Sequence, residues 1–115
     1  MSTSGMQTVI YPVHDLEASK VLFTRLLGVE PTTDEDHYVG YDLAGQHIGL
    51  DPHGHARGLT EPTSYWHVDD IRGTMTALIE RGAVEQQAVV DVGGGKLLGS
   101  VSDADGNVIG LIQSP

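Results

Sequence analysis

The chain has 115 residues, sixteen acidic against six basic side chains, a formal net charge of −10 and no cysteine. That length suits one domain with a core of its own, since a chain of this size buries roughly 60–70% of its unfolded surface. The composition excludes disulfides, zinc–thiolate sites and thiol nucleophiles, and it fits a reducing cytoplasm. It also makes nucleic acid and anionic membranes poor partners, because nothing would neutralise their phosphates.

Residues 1–6 read as a frayed tail. No basic patch leads into an apolar run there, so no leader is expected, and no stretch approaches the ~20 apolar residues of a membrane span. Gln7 to Val13 alternates and is rich in β-branched residues, which predicts a strand with Tyr11 turned to its helix side. Asp15 can accept from the free amides of a following helix, and its charge suits the dipole there. Leu16, Leu22, Phe23, Leu26 and Leu27 give that helix one apolar stripe, and Gly28 is its expected left-handed stop. Glu30 to Asp36 reads as a polar connection. His37–Leu43 and Gln46–Asp51 form a hairpin around Ala44-Gly45. Its register sets Asp42 opposite His47, Gly40 opposite Gly49 and Tyr38 opposite Asp51. Val39, Tyr41, Leu43, Ile48 and Leu50 then share the other face. One face is apolar, for a helix, and one holds glycines and polar groups, as the wall of a cavity would.

Residues 53–62 are the crossing segment, with glycines at 54 and 58. Thr63 to Val68 is a strand, with Tyr65 and His67 on one face and Trp66 on the other, beneath a second helix. Asp70 caps that helix, whose inner stripe is Ile71, Met75, Leu78 and Ile79, ending at Gly82. Ala83–Val92, Lys96–Ser102 and Val108–Gln113 are strands. Gly93-Gly94-Gly95-Lys96 is not a phosphate loop, because Val90 and Leu97 stand where such a loop needs a glycine and a hydroxyl. Lys96 could still meet an anionic ligand. No nucleophile elbow or Ser-His-Asp order appears.

The first and second halves repeat one plan, about 55 residues apart: a strand ending in Val, an aspartate-capped helix, a glycine stop, then strands. The prediction is an α+β domain of two βαβββ modules, at about 7–52 and 63–113, joined by the linker at about 53–62. Within this frame the sequence resembles the vicinal oxygen chelate superfamily of glyoxalases, extradiol dioxygenases and bleomycin-resistance proteins. The residues that carry the resemblance are Val13-His14-Asp15-Leu16-Glu17-Ala18-Ser19 with Leu27-Gly28-Val29, and His67-Val68-Asp69-Asp70-Ile71 with Gly82-Ala83. To these is added the closing turn Asp103-Ala104-Asp105-Gly106-Asn107 before an apolar strand. The resemblance implies sheets curled around a cleft, and it implies a homodimer.

Metal-dependent members of that superfamily hold a divalent ion with four side chains, one from each of four strands. Carried over position by position, those ligands fall at Thr8, Gly49, Thr63 and Gly110, with Gln7 and Pro62 as the neighbouring alternatives. None of these holds a divalent ion well. The expectation is therefore no metal, no cofactor and no metal-assisted chemistry, with glycine leaving extra room in the cleft. The leading reading is metal-independent binding of a small apolar or aromatic molecule, as in the drug-binding, bleomycin-resistance type. Thr8, Ile10, Tyr38, His47, Asp51, Tyr65, His67, Val108 and Ile112 are the expected lining. A second reading is a metal-free lyase or isomerase using His47 or His67 with Asp51, since imidazole exchanges protons near neutral pH. A third is a metalloenzyme with ligands displaced to His47, His53, His55 or His67.

Overall fold

The computed structural model describes residues 2–115. The strands are β1 (Thr3–Pro12), β2 (Thr33–Glu35), β3 (Tyr38–Leu43), β4 (Gln46–Asp51), β5 (Thr63–Val68), β6 (Val84–Asp91), β7 (Leu97–Ser102) and β8 (Val108–Gln113). The helices are α1 (Leu16–Leu27) and α2 (Ile71–Glu80), with a single 3₁₀ turn at His55–Arg57. The chain divides into two units. One is Gln7–Thr63, and the other is Ser64–Pro115 together with residues 2–6.

In the Gln7–Thr63 unit the strand order is β2-β3-β4-β1, antiparallel except that β1 runs parallel to β4. Asp15 starts α1: its carboxylate accepts from the Ala18 amide at 3.0 Å, a cap worth about 1 kcal/mol. Gly28 ends the helix at φ 72°, its amide donating to the Thr24 carbonyl. Val39, Tyr41 and Leu50 form the core, with Tyr11, Leu16, Phe23 and Leu27 packed on it. The buried Tyr41 hydroxyl donates to the Lys20 carbonyl at 3.1 Å and lies 2.8 Å from the Thr24 hydroxyl, which pins α1 to β3. Tyr11 meets Phe23 with ring centres 4.8 Å apart. Ala44 (φ 53°) and Gly45 (φ 79°) are both left-handed, the turn that fits the twist of a two-residue hairpin. Asp42 pairs with His47 and Gly40 with Gly49, the register that turn requires.

The second unit repeats the order, β5-β8-β7-β6, with β5 parallel to β8. Asp70 caps α2 by accepting from the Gly73 amide at 3.1 Å, and the first helical amide, of Ile71, donates to Gln113 Oε1 at 2.7 Å. Ile71, Met75, Val101 and Leu111 are the buried core.

Five expectations are corrected. Residues 3–6 are not frayed; they belong to β1. Ser2 donates its amide and hydroxyl to the Asp69 carboxylate at 2.8 and 3.0 Å, and the Thr3 hydroxyl donates to the His67 carbonyl at 2.7 Å. The polar connection at 30–36 contains β2, paired with β3 through Thr33 and Gly40. Leu22 and Leu26 leave the core stripe and are 70% and 74% exposed, because α1 lays only one face on the sheet. Trp66 is 37% exposed and stands outside the α2 cluster, where Met75 and Leu78 already fill the space over Val101 and Leu111. Ile79 on the same helix is also exposed.

Candidate functional site

Strand alternation puts Thr8 and Ile10 of β1, His47, Gly49 and Asp51 of β4, and Gly40 and Asp42 of β3 on the sheet face opposite the Tyr41–Leu50 core. Thr8 sits beside His47, and Ile10 beside Gly49. Tyr38 crosses this face. Its hydroxyl is 2.6 Å from His47 Nε2, and the two rings are nearly parallel, 13° apart, with centres separated by 5.9 Å. His47 Nδ1 lies 3.0 Å from Asp42 Oδ1, and Asp42 Oδ2 accepts from the Thr32 hydroxyl at 2.5 Å. A carboxylate only accepts, so Nδ1 carries a proton toward Asp42, and Nε2 is paired with the Tyr38 hydroxyl. Thr32, Asp42, His47 and Tyr38 thus form one hydrogen-bonded chain, in which Thr32 and His47 both donate to Asp42. The His47 side chain is 26% exposed, so solvent reaches it.

The glycines make this geometry possible. A β-carbon on Gly40 would come within 2.7 Å of His47 Cε1. One on Gly49 would collide with the Tyr38 hydroxyl and come within 2.7 Å of its Cζ. The room expected at Gly49 is therefore filled: the phenol lies where a ligand side chain would project. Gly110 on β8 tells the same story. It pairs with Tyr65, and a β-carbon there would meet the Ser64 carbonyl oxygen at 2.6 Å and the Tyr65 ring at 2.7 Å. An aromatic ring laid on a strand glycine satisfies surface that would otherwise be bare backbone.

The other expected lining residues separate by unit. Thr8 and Ile10 are buried in the first. Asp51 is 3% exposed, and its carboxylate accepts from the His53 amide at 2.8 Å and from Arg57 Nη1 at 2.7 Å. That pairing holds the crossing segment. The carboxylate within hydrogen-bond distance of His47 is that of Asp42. In the second unit Tyr65 and Ile112 are buried, His67 is half-buried beside Ile112, and Val108 is 36% exposed. Gly110 stands between Tyr65 and Ser100, whose fully buried hydroxyl has no partner among the described residues. Sequence reasoning set Asp42 opposite His47 yet passed over it as a functional residue. The two-residue turn at Ala44-Gly45 was the signal, because it makes a charged residue and an imidazole direct cross-strand neighbours.

The donor sets do not fit a resident divalent metal. Thr8 and Thr63 each offer one neutral hydroxyl. Gly49 and Gly110 offer no side chain, and tyrosine rings fill the space above them. Among the described residues no three histidine, aspartate or glutamate side chains are grouped to hold an ion. The histidines of the crossing segment do not supply such a group. His55 stacks flat on His14 at 3.9 Å, which turns the two rings face to face rather than toward a shared ion.

No protein-family model and no curated protein matches the sequence. Solved structures do match the fold. A glyoxalase/bleomycin resistance protein/dioxygenase superfamily member from Vibrio splendidus is 19% identical, with a TM-score of 0.71, covering 97% of this chain and 98% of its own. Methylmalonyl-CoA epimerase from Mycobacterium tuberculosis is 16% identical at a TM-score of 0.70, covering 98% and 90%. An NAD-dependent benzaldehyde dehydrogenase from Legionella pneumophila is 12% identical at 0.76, covering 94% and 98%. Paired βαβββ modules of identical strand order, matched over nearly whole chains, give this protein the fold of the vicinal oxygen chelate superfamily.

Proposed function

We propose that the protein binds a small, largely apolar or aromatic molecule, without a metal, on the sheet face that carries Tyr38 and His47. The observation that supports it most is the Thr32–Asp42–His47–Tyr38 hydrogen-bond chain over a floor of glycines. A parallel phenol and imidazole, each locked by a hydrogen bond, offer a flat surface at little cost in side-chain entropy. The hydrophobic gain of such a ligand is roughly 25 cal/mol per Å² removed from water. Sequestration in the manner of bleomycin-resistance proteins, a cytoplasmic location and assembly as a homodimer belong to the same proposal, by analogy of fold. In the second unit, His67 is proposed as a ligand contact of that unit's own sheet face.

The same chain supports a second reading, a metal-free isomerase or lyase. An imidazole held by a carboxylate is built to take and return a proton, and Asp42 does the holding here. Titration with 2-naphthol, followed by backbone amide shifts, tests the first reading. Saturable shifts at Tyr38, Gly40 and Gly49, weakened about fivefold to tenfold by Tyr38→Phe, are expected, as for the loss of one hydrogen bond. Absence of saturation, or indifference to Tyr38→Phe and Tyr38→Ala alike, would overturn it. His47→Gln and His67→Gln separate the two readings, since turnover lost with binding retained marks an enzyme.

A further inference from the structure

The outer side of α1 lies away from the Tyr38–His47 face, on the far side of the Tyr41–Leu50 core. There the helix and the chain from Gly28 to Asp34 enclose an open groove of about 710 Å³, within the 300–1,000 Å³ span of small-molecule sites. Val21, Val29 and Pro31 make its bed apolar. Val21 is 68% exposed, so this apolar surface has no cover from the described chain. Four charges stand on the walls: Lys20, Arg25, Glu30 and Asp34. Two of them cancel, since Lys20 Nζ lies 3.2 Å from both oxygens of Asp34. The Arg25 guanidinium makes no hydrogen bond or ion pair among the described residues. Its charge suits the last turn of a helix, but that interaction leaves five N–H donors open.

An uncommitted guanidinium beside an uncovered apolar bed matches one ligand chemistry. We propose that this groove is a second binding site, for a small molecule that carries a single carboxylate on an apolar body. Arg25 grips the carboxylate by its two-pronged donor face, and Val21, Val29 and Pro31 cover the apolar body. Glu30 stands on the same wall and opposes a second negative charge, so the site prefers a monoanion. The net charge of −10 repels anions at long range, but at physiological salt the screening length is about 8 Å, and the adjacent guanidinium dominates. This site is independent of the one proposed on the sheet face.

Hexanoate, 1-hexanol and hexylammonium are the probes, titrated into the whole chain and read by backbone amide shifts. Hexanoate is expected to shift amides in Val21–Arg25 and Gly28–Asp34 to saturation, with a Kd on the order of millimolar for so few atoms. Arg25→Gln should weaken it at least tenfold, Arg25→Lys by less, and His47→Gln should leave it unchanged. Equal binding of 1-hexanol would overturn the proposal, because the guanidinium would then read nothing. So would indifference to Arg25→Gln, shifts centred on Tyr38, Gly40 and Gly49, or absence of saturable binding. Failure of 2-naphthol on the sheet face would leave these outcomes untouched.

Discussion

Gly49 and Gly110 occupy corresponding positions in the two units, and each is covered by a tyrosine. The two differ in what can give way. Over Gly49 lies the far end of the half-buried Tyr38, which can swing outward once its bond to His47 is given up. Over Gly110 lie the Ser64 backbone carbonyl and the ring of Tyr65, which is 1% exposed. Overpacking costs most where the neighbour is backbone or buried. Gly49→Ala should therefore cost about 1 kcal/mol and Gly110→Ala about 3 kcal/mol, measured by urea denaturation. Equal costs would mean that the rings do not lie as described. The glycines themselves were legible in the sequence, but their meaning was not. A missing side chain reads as space until a neighbour's ring is seen to fill it.

At the scale of the element, the helix caps and the hairpin follow from local chemistry. Asp15, Gly28, Asp70 and the Ala44-Gly45 turn each act within four residues, so the sequence contains the whole interaction. β2 does not, because Thr33–Glu35 is short and polar and gains its strand geometry only by pairing with β3. The α1 stripe shows the same limit. Periodicity marks which residues share a helix, but the width of the buried face depends on what the helix rests against. Leu26 is exposed, and Leu50 is fully buried beneath Leu16 and Phe23 in the same cluster. Leu26→Ala should change stability by no more than about 0.5 kcal/mol, whereas Leu50→Ala should cost about 2–5 kcal/mol. Thermal and chemical denaturation of the two variants checks this. A costly Leu26→Ala, with a cost that shrinks as the protein is diluted, would instead place that leucine in an interface between copies.

Across the whole molecule, three surface groups respond to opposite ends of the pH scale. In the second unit, the Asp69 carboxyl is held below its ordinary value by the Ser2 amide and then the Ser2 hydroxyl. The Asp103 carboxyl is held down by the Asn107 side-chain amide and then its backbone amide. Carboxylates with a lowered folded pKa stabilise fully above the unfolded value of 3.8, and that contribution is lost as pH falls through the folded one. In the first, the Lys20 ammonium is raised above 10.5 by its hydrogen bond to Asp34, against a smaller opposing effect of desolvation. Its contribution is full below 10.5 and is lost as pH rises through the folded value. Amide spectra should accordingly show acid releasing the Asp103–Asn107 turn and the Ser2–Asp69 tie, and alkali releasing Lys20 from Asp34. The reverse order would contradict these pairings. All three groups lie at the surface, so the changes should be local.

The duplicated strand–helix–strand plan, the two capped helices, the hairpin register and the poor metal-binding chemistry of Thr8, Gly49, Thr63 and Gly110 were set by the sequence alone. Each depends on residue type and short spacing, and the backbone obeys both wherever it goes. Tertiary structure decided the rest: that Tyr38 and Tyr65 fill the glycine positions, that Asp42 rather than Asp51 orients His47, and that Asp51 instead binds Arg57. Those outcomes depend on where long side chains come to rest across neighbouring strands and loops. That is a matter of competing partners within a few ångströms, which no spacing along the chain encodes.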